Sequence, residues 1–346
     1  MAGPGGLAAV HLHVTGGVDL VDEQDRPIED LTGDVLESST AQDVHDEVPG
    51  SCDLTLMRDL AWGVDKVRPW VAVNGVRQNL GVYYLTSPDR EAGEPRRAQG
   101  YDKLWLLRRE SGDTYVIPAG TSYLDAIRGV LSDAGVTGRL HLQGDRQATV
   151  LEEPGVWVLG GRHTWLHIIN DLLGMIGYDS LWADGNGTFR SSPYQALEDR
   201  APRFHLDTGD PWTTVDEHRR LTGEVRDRPN QWRFVRKKDR ALTEDDVYVV
   251  DHSEGLPAWQ VRPKTEYVDA ADRDALVAEG DRIVAEDSQA VRTVTLTTTP
   301  LPLVHGDVVT VTDAELGLSR ARGLAASWRL DLSEMGATMH LTVELL

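Results

Sequence analysis

The last part of the chain alternates with a period of two, and this limits its possible folds more than any other feature. Leu324, Ala326, Trp328, Leu330 and Leu332 interleave with Ala325, Ser327, Arg329 and Asp331. After Ser333-Glu334-Met335-Gly336 a second run sets Met339, Leu341, Val343 and Leu345 against His340, Thr342 and Glu344. Strand side chains alternate between faces, so two such runs around a short turn specify an antiparallel hairpin with one buried face. Upstream, Val294 and Leu296 oppose Thr293, Thr295 and Thr297, and Val309 and Val311 oppose Val308 and Thr310. The N-terminal third also reads as sheet. Its candidate strands are Ala8–Val14, Cys52–Met57, Trp70–Val73, Gly81–Thr86 and Tyr101–Leu107, with Asn74-Gly75 as a hairpin-type turn.

Helical periodicity appears in three places. Ser122 can cap a helix, with Asp125 at the capping-box spacing and Leu124, Ile127, Val130, Leu131 and Ala134 on one face before Gly135. Thr164 can cap a second, in which Trp165, Ile168, Ile169, Leu172, Leu173 and Ile176 share a face and Gly177 stops the helix. A third runs from about Asp269 to Ala285 with a thin stripe of Leu276, Val277, Ile283 and Val284, which predicts a surface helix. A hairpin is expected over Tyr178–Arg190, turning at Asp184-Gly185-Asn186-Gly187. The chain is therefore expected to be mainly β with an α+β insert, divided as 1–110, 111–200 and 201–346. No short-period repeat is visible, but two strand-rich parts flanking a mixed one leave room for an internal duplication.

Charge and composition exclude several functions. The 346 residues carry 56 acidic and 35 basic side chains, a formal net charge of −21. Such a field repels duplex DNA, whose binders neutralise phosphates with a basic patch. The local cluster Arg233, Arg236, Lys237, Lys238 and Arg240 lies in a strand-like segment and reads as solvated strand charge. A 40% hydrophobic content suffices for a sizeable core. No apolar run approaches the twenty or so residues of a spanning helix, and no basic n-region precedes Arg26, so stable membrane insertion and secretion are not expected. Cys52 is the only cysteine, which removes intrachain disulfides and multi-cysteine metal sites, and its strand context predicts a packed hydrophobe. Thirty of the basic residues are arginine and five lysine, a bias that fits a GC-rich genome.

Four features could carry chemistry, and each has a plainer reading. His163 and His167 have zinc-ligand spacing, but Thr164 stands where a metalloprotease has its glutamate. If Thr164 caps the helix, His163 lies outside it and the two rings should not share a face. Asp184-Gly185-Asn186-Gly187 begins like a calcium loop, yet Thr188, Phe189 and Pro193 occupy the positions that need oxygen, glycine and glutamate. Asp251-His252-Ser253 places three triad residue types side by side, where they cannot form a relay. The ten tryptophans could line a sugar groove, although Trp105, Trp165 and Trp328 fall at core positions. No nucleophile elbow, P-loop or dinucleotide fingerprint is present. These residues imply no enzyme, no cofactor and no metal. A metal-assisted cell-wall hydrolase using His163 and His167, and a carbohydrate-binding module, stay open as alternatives.

The middle of the chain carries a resemblance. Tyr101-Asp102-Lys103-Leu104-Trp105-Leu106-Leu107 is followed by Tyr115-Val116-Ile117-Pro118-Ala119-Gly120-Thr121-Ser122-Tyr123. Ile169-Asn170-Asp171-Leu172-Leu173, Ile176-Gly177-Tyr178 and Leu181-Trp182-Ala183-Asp184-Gly185-Asn186-Gly187 come next. This order resembles the minor tail proteins that form the baseplate, or tail-tip, hub of long-tailed bacteriophages of actinobacteria. Pro302-Leu303-Val304-His305-Gly306-Asp307-Val308-Val309 and the hairpin after it resemble the last part of that group. The likeness covers about 101–194 and 300–345. It implies two tail-tube-like β-barrels flanking the mixed segment, and a homotrimer that adapts the sixfold tube to a threefold tip. It also implies contacts with a distal tail protein ring or the tail tube, the tape measure protein and other minor tail proteins. Genomic DNA would be transient cargo. The chain would be made and assembled in the host cytoplasm and reside in the virion. The long extension that carries enzymes or receptor-binding modules in larger relatives is not found in this sequence, so those activities are expected in other proteins.

Overall fold

The computed structural model describes residues 13–89, 94–158, 163–209, 218–223, 229–236, 243–268, 273–288, 292–333 and 336–346. The chain is mainly β with large sheets. The N-terminal strands are β1 (Val14–Val21), β2 (Pro27–Asp30), β3 (Val35–Asp43), β4 (Gly50–Leu56), β5 (Lys66–Val73), β6 (Val76–Asn79), β7 (Tyr83–Asp89) and β8 (Arg96–Asp102). Alternation buries one side of β4 and β8, whereas β1 and β5 carry continuous buried runs. Cys52, Leu54 and Leu56 pack with Val18, Leu20, Leu31, Val67, Leu85 and Ala98. Asn74 (φ 50°) and Gly75 (φ 82°) supply the two left-handed residues that a tight β5–β6 hairpin requires.

The mixed segment contains β9 (Tyr115–Ile117), α1 (Tyr123–Asp133), β10 (Leu140–Leu142), β11 (Gly155–Trp157), α2 (Trp165–Met175), β12 (Trp182–Ala183) and β13 (Phe189–Ser191). Both helices start where the sequence predicts: the Ser122 side chain accepts the Asp125 N–H and Thr164 accepts that of His167. Gly135 and Gly177 leave the helices at φ 67° and 69°, conformations that a side chain disfavours. The apolar faces of α1 and α2 meet in one cluster with Leu104, Leu107, Trp157 and Phe189. The expected hairpin is present as β12–β13, with Ala183 opposite Phe189.

The C-terminal strands are β14 (Phe204–Asp207), β15 (Arg220–Gly223), β16 (Gln231–Arg236), β17 (Val247–Asp251), β18 (Pro263–Val268), β19 (Arg292–Thr298), β20 (Val308–Asp313), β21 (Leu318–Ser333) and β22 (Gly336–Leu345). The third helix, α3, spans Arg273–Ser288. By packing, the chain forms two compact units, one of 1–219 with 295–343 and one of 220–294 with 344–346. Within the second unit β16, β17 and β18 form a small sheet, and Trp232, Phe234, Val268, Leu276 and Val284 form its core.

Strand order shows an internal repeat that the sequence hides. The first module is ordered β3-β4-β8-β7-β5-β1, and the second β15-β19-β22-β21-β20-β14. Taken in chain order, the six strands of each module occupy the same six places. The repeat differs at its last position: β1 runs antiparallel to β5, whereas β14 runs parallel to β20. The modules share one sheet because β21 is long enough to change neighbours. Val308 to Asp313 of β20 pair with its first half, and Asp43 to Ser38 of β3 pair with Ser327 to Leu332 of its second half.

Two sequence expectations need correction. The run Tyr101–Leu107 is not a strand: β8 ends at Asp102 and Lys103–Arg108 form a 3-10 turn, because the Asp102 carboxylate accepts the Leu104 N–H and caps it. The strand expected from Trp70 begins four residues earlier, at Lys66, because Lys66 and Arg68 find carboxylate partners inside. Ala8–Leu12 of the first expected strand, the start of the third helix and Glu334-Met335 lie outside the described residues.

Candidate functional site: a polar sheet face and its joints

The surviving outer face of the shared sheet is polar by the same alternation that makes its inner face apolar. Glu37 and Ser39 of β3, Asp53 and Thr55 of β4, Arg97 and Gln99 of β8, and Arg329 and Asp331 of β21 occupy paired positions on it. Arg329 spans the seam between the modules. Its guanidinium reaches Asp331 at 2.8 Å, Ser39 Oγ at 2.8 Å and Asp53 at 3.5 Å. His340 lies 3.5 Å from Asp331 and its other ring nitrogen 3.2 Å from Thr297 Oγ1. Two open hollows, of about 780 and 460 Å³, flank Arg329. These ion pairs are exposed and salt-screened, each worth about 0–1 kcal/mol, so the face is held by strand pairing rather than charge. It offers hydroxyls and a small acidic surplus, with no basic stripe.

Three buried joints hold the mixed segment, two against the first module and one against the loop before β20. Asp25, in the β1–β2 turn at φ 62°, takes Lys66 Nζ at 2.6 Å on one oxygen and Lys103 Nζ at 2.7 Å on the other. Lys103 is fully buried, and this pushes its ammonium below the usual lysine range while Asp25 pulls it back. Beside it, Asp19 holds Arg68 at 3.0 Å and also binds Arg77. The 184–187 turn packs onto this cluster so closely that a Cβ on Gly185 would stand 2.1 Å from the Asn79 carbonyl oxygen. At the second joint, Asp102 accepts the N–H groups of Gly50 and Leu104 at 2.9 Å, and burial raises its carboxyl to about 7. At the third, His305 stacks on Trp182 at 5.5 Å and Gln42 Nε2 lies 3.3 Å from its Nδ1. Burial, with Arg200 and His45 nearby, lowers this imidazole to about 4. None of these joints was legible in the sequence, because each links residues 40 or more positions apart.

The sequence candidates resolve as structure. Thr164 caps α2 as expected, yet His163 and His167 do share a face: their rings stack at 5.0 Å across the extended cap residue. His167 turns to Asp171 at 3.3 Å, and that carboxylate also accepts the Trp157 indole N–H at 2.9 Å. Among the described residues no three His, Cys, Asp or Glu side chains converge as metal ligands. Asp184 closes its own turn by accepting the N–H groups of Asn186 and Thr188. Ser253 Oγ donates to Asp251 at 2.5 Å, while His252 sits edge-on against Trp232, so no relay forms. Cys52 is buried and its thiol is pushed well up by desolvation. Trp328 is buried and Trp165 and Trp105 are half-buried, whereas Trp259 is 72% exposed. Arg233 is exposed and Arg236 faces the buried Asp246 at 3.7 Å; Trp212, Lys237, Lys238 and Arg240 lie outside the described residues. Among the described residues no helix is long and apolar enough to cross a membrane.

No known family profile matches the chain, and no curated protein matches it in sequence. Solved structures do. A tail protein from Neisseria meningitidis MC58 superposes with a TM-score of 0.66 at 17% identity, over 96% of each chain. The 43 kDa tail protein of prophage MuSo2 from Shewanella oneidensis gives 0.65 at 14%, over 95% of this chain and 98% of that one. An Escherichia coli component of the type VI secretion system, itself similar to the bacteriophage T4 tail proteins gp27 and gp5, gives 0.50 at 11%, over 90% and 74%. At these identities the likeness is one of architecture, and the architecture of this chain is that of the phage tail proteins.

Proposed function

We propose that the chain is a structural component of a phage tail, and specifically the hub ring at the tail tip, in three copies. The observation that carries this reading is the repeated six-strand module. A ring of three chains with two equivalent modules each offers six similar positions to a sixfold tube while its other features keep threefold symmetry. On this reading the segments 1–110 and 201–346 contribute the two tube-like barrels and 111–200 is the mixed wedge between them. The ring would sit against a distal tail protein ring or the tail tube and receive the tape measure protein and other tip proteins. Its place is the virion tail, assembled in the host cytoplasm, with an actinobacterial long-tailed phage as the source.

The polar sheet face suits the wall of a DNA channel. Glu37, Asp53 and Asp331 outweigh Arg97 and Arg329 on it, so passing phosphates meet no basic array and release no bound counterions. The role is architectural: it requires no catalytic group, cofactor or metal, and DNA is cargo. Light scattering over a wide concentration range, alone and with co-expressed tail proteins, tests it. A mass near three chains is expected. A single-chain mass under every condition would overturn the hub assignment.

A further inference from the structure

The chain contains two Asn-Gly pairs, Asn74-Gly75 and Asn186-Gly187, and the fold treats them differently. Glycine after asparagine leaves its backbone nitrogen unhindered, so that nitrogen can attack the preceding side-chain amide. Whether the glycine N–H is already engaged then decides the reaction. Gly187 is buried against Val82 and Lys103 and donates its N–H to the Asp184 carbonyl at 2.8 Å. The Asn186 amide oxygen is held as well, by Asn79 Nδ2 at 2.8 Å. Asn74 and Gly75 instead form the exposed tip of the β5–β6 hairpin, where Val73 pairs with Val76. Among the described residues the Gly75 N–H has no hydrogen-bond partner, and nothing lies within 4 Å of where a Cβ would stand. The His13 N–H donates to Asn74 Oδ1 at 3.0 Å. A donor at that oxygen stabilises the charge it gains when the adjoining carbon is attacked.

We infer that Asn74 is a self-modification site of the native chain and that the fold shields Asn186. The Gly75 nitrogen loses its proton to solvent base and bonds to Asn74 Cγ. The Cγ–Nδ2 bond breaks, the departing nitrogen takes a proton from water, and ammonia leaves behind a five-membered succinimide. Water then opens the ring at either carbonyl, giving aspartate or isoaspartate. No oxidant or further reagent is required. Both products place a negative charge on the hairpin tip. The isoaspartyl form also inserts Cβ into the main chain, and a two-residue loop has no slack for it, so the end of the β5–β6 pairing opens. The reaction belongs to the single chain and is independent of any ring it joins.

Peptide mass spectrometry of the full chain, aged folded in mildly alkaline buffer, tests this. Tryptic peptides ending at Arg77 and Arg190 separate the two sites. The Arg77 peptide is expected to gain the mass of an amide turned acid and to split into aspartyl and isoaspartyl forms. The Arg190 peptide should convert about tenfold more slowly or less. In denaturant both should convert at similar rates, which assigns the difference to the fold. Asn74→Asp supplies the aspartyl standard, and the Val76 amide should exchange its hydrogen faster in the isoaspartyl chain than in this variant. Folded protein in which Asn74 keeps its amide, or loses it no faster than Asn186, would overturn the site. Equal exchange at Val76 would overturn its effect on the hairpin.

Discussion

Asp25 neutralises two buried lysines with one carboxylate, and this makes the cluster asymmetric to mutation. Asp25→Ala strands Lys66 and Lys103 away from water, and leaving a buried charge without its partner costs about 3–5 kcal/mol. Lys103→Met removes a buried charge, keeps the Asp25–Lys66 pair and should cost about 1 kcal/mol or less by comparison. Denaturant melts of the two variants check the ordering. Two other buried groups set a pH dependence with opposite signs. Burial holds Asp102 at about 7 in the folded chain, above its ordinary 3.8, so the folded state binds the extra proton and stability from this group is lost as pH rises through 7. His305 is held at about 4, below its ordinary 6.5, so the unfolded state binds the extra proton and stability is lost as pH falls through 6.5. His305→Phe keeps a ring against Trp182 and removes the titration. Relative to the parent, it should gain about 2 kcal/mol between pH 7.5 and pH 5, measured by melts at both values. A constant difference would mean that the imidazole is not held neutral.

Elements with local signals were legible in the sequence, and elements made by distant pairing were not. Both helix starts follow from Ser122 and Thr164, and replacing either with alanine should cost about 1 kcal/mol, read from thermal unfolding. The hairpin of β21 and β22 follows from strict alternation, but the extension of β21 back to Leu318 does not. There Gly323 and Arg320, the latter at φ 48°, interrupt the pattern that β20 completes through hydrogen bonds. The 3-10 turn after Asp102 was hidden because Leu104, Trp105 and Leu107 resemble a strand until the capping carboxylate is seen. The polar face was half legible: Arg329 and Asp331 read as the solvent side of a strand, while their neighbours Ser39 and Asp53 come from two strands, β3 and β4, near the other end of the chain. His163 and His167 show the reverse case, a suggestive spacing that the fold spends on helix-end packing.

The chain carries one six-strand order twice, joined through the β21–β3 seam, with the mixed segment between the two in sequence. Sequence could only allow this duplication, since the repeat lies in strand order and the two modules share no residue pattern of fixed period. Its proposed consequence is a channel wall that passes DNA without holding it. The parent protein should therefore retain no duplex DNA on a filter at low salt, whereas Glu37→Lys/Asp53→Lys should retain it with steep salt dependence. The central claim is a closed ring built from paired modules at the end of a tail. Electron cryo-microscopy of the assembled tail tip measures this most directly. The account predicts three copies of this chain around the axis and six similar module densities facing the tube. A tail tip in which the chain is absent, or present as one isolated copy away from the axis, would contradict it.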